Sequence, residues 1–88
     1  MTDDRLVERL SRLLPVIAAA LGSEWFALAE LLDDDYPAVR LAVTAIGIPR
    51  AQIGQLFARG VGVPIDGYVL ERGGIELHRR LWQVSAIV

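Results

Sequence analysis

The chain has 88 residues, 53% hydrophobic and 23% charged, a composition that predicts a single small globular domain spanning residues 1–88 rather than a disordered segment. It contains no cysteine, which excludes disulfides, thiolate metal sites and cysteine nucleophiles together and agrees with a cytoplasmic setting. The formal net charge of -2 argues against strong nonspecific attraction to a polyanion, yet residues 1–36 hold eight acids against three arginines while residues 37–88 hold six arginines against three acids.

The first segment, residues 1–22, opens on Asp3 and Asp4 rather than a basic leader. Its longest apolar run, Val16 to Leu21, is too short to cross a bilayer, so neither a signal peptide nor a membrane span is expected. Leu6, Leu10, Leu13 and Ile17 recur at helical spacing, Val7, Leu14 and Leu21 widen the same face, and Arg5, Glu8, Arg9 and Arg12 fall elsewhere on the helix. Pro15 removes one helical hydrogen bond, which predicts a bent helix or two short ones. The apolar stripe either covers the protein's own core or, with Leu81 and Val84, meets a second subunit.

Gly22 and Ser23 punctuate the chain, and Ser23 is suited to cap a helix from Glu24 to about Leu32 with Trp25, Leu28, Ala29, Leu31 and Leu32 facing inward. Asp33, Asp34 and Asp35 lack the alternating ligand spacing of a calcium loop and read as a solvated turn.

From Leu41 to Gly60 the apolar spacing fits two short helices joined by a tight turn, a helix-turn-helix. Ala42, Val43 and Ile46 form the first stripe, and Ile53, Leu56 and Phe57 the second. Gly47 lies where the chain reverses, Ile48 points back inward, and Pro49 starts the second helix. The second helix then exposes Arg50, Ala51, Gln55 and Arg59, with Gln52 at the margin. Arginine pairs with guanine, glutamine with adenine, and both reach phosphates, so this face suits DNA. Gly54 inside that helix costs on the order of 1 kcal/mol relative to alanine, and marks either a close approach of another backbone or a degraded site.

Beyond it, Ile65 to Glu71 and Gly74 to Leu77 read as extended segments around a turn at Arg72 and Gly73, a hairpin whose tip carries Arg72. From Leu77 into the final segment, residues 79–88, Leu77, Leu81, Val84 and Val88 recur at helical spacing, although strand alternation also fits. A helix there would pack on the first helix or on a second subunit and leave Arg79 and Arg80 for phosphate or an acidic partner.

Tyr36-Pro37, the run from Leu41 to Ile53, Gly62 to Ile65 and the closing Arg72 to Leu77 together resemble the winged-helix DNA-binding domain at the amino terminus of biotin-protein ligase repressors and related small regulators, over about half the chain. The resemblance implies packing and turn roles for Leu41, Ala42, Gly47, Ile48 and Ile53, and a DNA-facing side at Arg50, Ala51 and Gln55. The expected fold is therefore mainly α with a small β-hairpin: a winged helix-turn-helix over residues 23–78 with extra amino-terminal and carboxy-terminal helices.

The expected function is that of a small sequence-specific regulator, or a phage-type repressor or excision factor, binding double-stranded DNA as a homodimer through Arg50, Ala51, Gln52, Gln55, Arg59, Arg72 and Arg40. The competing class is a protein-interaction module. No nucleophile, base and orienting residue suggest themselves and no phosphate loop follows a strand, so neither catalysis, a cofactor nor a metal is expected, and the lone His78 is assigned none of these roles.

Overall fold

The structure, a computed structural model, describes residues 4–32 and 35–87. Its first element, α1 (Asp4–Leu21), is one continuous helix with Pro15 inside it, rather than two short helices. The missing proline N–H costs about 3 kcal/mol. Against that stand Leu6, Leu10, Leu13, Leu14, Ile17 and Leu21, none more than 8% exposed, each worth roughly 1.5–3 kcal/mol on burial. The apolar stripe therefore outweighs the break.

That stripe packs within the chain's own core, the first of the two uses expected for it. Leu6, Leu10, Leu13 and Ile17 all belong to the central cluster, as does Val84, while Leu81 is half-buried.

After α1 come a two-residue strand, β1 (Phe26–Ala27), and a single turn of helix, α2 (Leu28–Leu31). The helix expected from Glu24 is thus replaced at its start by a strand. Ser23 caps nothing; its carbonyl instead accepts a hydrogen bond from Gln83 Nε2 at 2.5 Å. Phe26, Ala27 and Leu31 are buried, whereas Trp25 lies on the outer side, 47% exposed, and Ala29 is exposed. The solvated turn expected at Asp33 and Asp34 lies outside the described residues.

Two helices follow, α3 (Pro37–Ile46) and α4 (Arg50–Gly60). Pro37 occupies the first turn of α3, where no amide donor is needed. Gly47 closes α3 in the left-handed region at φ 71°, its N–H bonded to the Thr44 carbonyl at 3.1 Å. Pro49 is the residue before α4 rather than its first residue, and its carbonyl accepts the Gln52 N–H at 2.8 Å. Ile53, Leu56 and Phe57 are buried as the periodicity requires, while Leu41, expected to pack, is 71% exposed. At the end of α4, Gly60 is buried with its Cα turned to the Leu10 side chain, so that any Cβ there would collide with Leu10 Cδ1. The glycine lets α4 close on α1.

The last two elements are β2 (Tyr68–Glu76) and β3 (Arg79–Ala86). The carboxy-terminal helix is therefore corrected to a strand, and the fold from mainly α to α+β: about half the chain is helical, packed on a three-stranded antiparallel sheet of order β1-β3-β2. Being the central strand, β3 pairs Trp82 with Phe26 on one side and Val84 with Leu70 on the other. Phe57 seats the helices on the sheet, meeting Phe26 edge-on at 6.4 Å and Trp82 edge-on at 5.4 Å between centroids. The Trp82 indole N–H is buried without an acceptor.

The hairpin turns later than its glycines suggest. Arg72, Gly73 and Gly74 lie within β2, where the register slips between Arg72 paired with Trp82 and Ile75 paired with Arg80, so two residues oppose the single Leu81. This is a β-bulge. Arg80 Nη1 donates to the Gly73 carbonyl at 2.9 Å, and the Trp25 ring lies over Gly73 so closely that a Cβ would fall 2.7 Å from it.

The actual tip is Leu77-His78, both in the left-handed region at φ 51° and 64°, between the paired Glu76 and Arg79. A two-residue turn of this hand favours Asn-Gly, and other residues bearing a Cβ pay roughly 1 kcal/mol or more each. Replacing Leu77-His78 with Asn-Gly should therefore stabilise the protein by about 1–2 kcal/mol, read as a higher urea midpoint at unchanged slope. A lower midpoint would mean that the tip is not a left-handed turn. Asp66-Gly67, φ 51° and 84°, already carries the favoured chemistry, and joins Ile65 to Tyr68 through paired backbone bonds of 2.8 and 2.9 Å.

Candidate functional site

The four buried residues of α4, Ile53, Leu56, Phe57 and Gly60, occupy one side of the helix and fix what the other side presents. Arg50, Ala51, Gln52, Gln55, Ala58 and Arg59 are all exposed, and the helix contains no acid. Small side chains at Ala51, Gly54 and Ala58 keep the middle of this face low. Longer polar side chains stand around it.

The expected site residues separate into three groups. Gln52, Gln55 and Arg59 line one groove together with Leu6 and Arg9 of α1. Arg50 lines a second depression with Arg40, at the glycine turn between α3 and α4. Arg79 and Arg80 border a third hollow, of about 320 Å³, with Ala27, Leu28, Gly54 and Trp82. The strand pair thus flanks α4 on the side opposite α1. Arg72, expected at the hairpin tip, instead sits on β2 opposite Trp82 and beside the bulge, exposed.

Among the described residues, Arg50, Arg59, Arg72 and Arg79 form no ion pair, and Arg80 is bonded to a backbone carbonyl. Arg12 pairs with Glu8 at 3.1 Å, joining two exposed side chains one turn apart on α1. Such a pair adds at most about 1 kcal/mol to stability. The pair borders a depression that Arg5 and Arg9 also line, against Ala45 and Ile46 of α3.

Gly54 faces the Leu28 side chain, not another backbone. A Cβ added there would meet Leu28 Cδ1 at 3.4 Å, ordinary contact, and the residue is helical. Gly54→Ala should accordingly stabilise the fold by about 0.5–1 kcal/mol through helix propensity. A thermal melt that falls instead would show that α4 and α2 approach more closely than this.

Arg9 shares the groove of Gln52, Gln55 and Arg59, although the sequence does not group it with them. It was placed on the polar side of an amphipathic helix within the acidic half of the chain, and no local signal links it to Arg59, 50 positions on. Only the packing of α1 against α4 brings it there.

No protein-family model matches this sequence, and no curated protein or solved structure is significantly similar to it. No helix among the described residues is long and apolar enough to cross a membrane.

Proposed function

We propose that this protein is a winged-helix DNA-binding module, acting in the cytoplasm as a small transcriptional regulator or phage-type repressor or excision factor. The observation that carries this reading is the exposed face of α4, which follows a glycine turn and offers Arg50, Gln52, Gln55 and Arg59 without one acid. Uncompensated guanidinium and amide groups on the helix face turned away from the core suit base edges and phosphates in a major groove. The element order and the β1-β3-β2 sheet support the same reading, since they set a hairpin beside α4 with Arg79 and Arg80 near its flank. These arginines suit the adjoining backbone.

One copy of the chain carries few such groups, and counterion release scales with the phosphates neutralised. A homodimer on a two-fold site is therefore part of the proposal.

The test is fluorescence anisotropy of the purified protein on a pool of genomic duplex fragments across a salt series. Saturable binding that weakens with salt and prefers a subset of fragments supports the reading. No binding at low salt overturns it, and favours a protein-interaction module, for which the exposed Leu41, Ile75 and Leu77 are the natural contacts.

A further inference from the structure

We propose that Arg9 of α1 is a DNA-phosphate contact, paired with Arg59 of α4 across a single groove; this rests on the DNA-binding reading above. The groove, of about 80 Å³, has Leu6 and Leu56 among its lining residues, both nearly buried, with Arg9, Gln52, Gln55 and Arg59 around them. It holds two guanidiniums and no carboxylate. Like charges lining one small groove repel each other, and beside apolar side chains they are screened less than in open water. An anion between them turns that repulsion into attraction.

No carboxylate lines this groove; Glu8 borders a neighbouring depression that Arg9 also lines. Glu8, the acid next to Arg9 in sequence, is turned to Arg12 at 3.1 Å. Arg9 itself is half-buried and forms no ion pair. The amides of Gln52 and Gln55 add neutral donors to the same groove, a set suited to a phosphodiester, which offers two charged oxygens.

Position identifies the phosphate as one of the duplex backbone. With α4 in a major groove, the backbone ridges pass on its two sides. Arg79 and Arg80 flank one side and Arg9 the other, so α1 supplies the contact that the hairpin cannot reach. The acidic tally of residues 1–36 is misleading on this point, because folding carries one of their three arginines to the basic face.

The experiment is anisotropy of a labelled duplex against salt for the full chain and for Arg9→Gln, Arg12→Gln and Arg59→Gln, with circular dichroism melts of each. Arg9→Gln should weaken binding by about tenfold at low salt, equally on every sequence. Its slope of log K against log salt should fall by about one. Arg12→Gln, whose guanidinium is held by Glu8, should change the slope far less.

An unchanged slope for Arg9→Gln, with a reduced one for Arg59→Gln, would overturn this inference and leave the DNA reading standing. No binding by the unmodified chain would overturn both. A melting temperature raised by inorganic phosphate and not in Arg9→Gln, with DNA binding unaltered, would identify a free-anion site and likewise overturn the backbone assignment.

Discussion

Phe57→Ala is expected to remove about 3–5 kcal/mol of folding stability. Phe57 is 1% exposed, and its ring meets Phe26 of β1 and Trp82 of β3 in edge-to-face geometry, with interplanar angles of 79° and 81°. It is the point at which α4 is seated on the sheet. Truncation opens a cavity that three separate elements would have to move to fill, and it also removes two aromatic pairs worth roughly 0.5–1.5 kcal/mol each.

A domain of this size has a total stability of about 4–13 kcal/mol, so the variant should lie near or below the threshold of cooperative folding. Urea denaturation followed by tryptophan emission measures it, since Trp82 is in direct ring contact. Phe57→Leu, which keeps most of the volume, should cost about 1.5 kcal/mol or less. A loss under about 1 kcal/mol for Phe57→Ala would mean that α4 is not docked in this way.

What could be read from the sequence follows the range over which each signal acts. The apolar stripe of α1 and the Ile53, Leu56 and Phe57 stripe of α4 were legible because a helix repeats its pattern over many residues, and Gly47 stood alone between two such runs. The last strand was not. Leu77, Leu81 and Val84 fall at helical intervals by coincidence, and β3 is the central strand, half-covered on its outer side, where Leu81, Gln83 and Ser85 blur the alternation set by Trp82 and Val84.

The position of the hairpin's turn was hidden for a different reason. Gly73-Gly74 has the composition of a turn, but the bulge needs the first glycine to receive the Trp25 ring, whereas the real turn at Leu77-His78 has no residue that announces a left-handed backbone. Strand β1, with two residues, is shorter than any period. The candidate site divides along the same line. Arg50, Gln52, Gln55 and Arg59 share one helix and could be grouped by counting, while Arg9 joins them only through the contact of α1 with α4.

Arg50→Ala separates function from folding more cleanly than any other substitution on that face. Arg50 is the first residue of α4, where the helix dipole is positive and a cation is unfavourable by roughly 0.3–1 kcal/mol. Pro49 before it gives no side-chain cap, the first turn holds no acid, and Arg50 forms no ion pair among the described residues. Nothing in the fold therefore repays the charge, and alanine is also the better helix former. Arg50→Ala should leave stability unchanged or raise it by a few tenths of a kcal/mol.

Its effect on DNA should run the other way. The first residues of a reading helix are those that reach base edges, and loss of one arginine–guanine pair costs about 1–3 kcal/mol, or roughly 5- to 150-fold in affinity for the preferred fragment. Preference among fragments should relax with it. Arg79→Ala, on the strand opposite Glu76, should instead weaken every sequence alike. A variant that folds better and discriminates worse would assign Arg50 to base recognition; equal affinity and unchanged preference would remove the amino-terminal end of α4 from the interface.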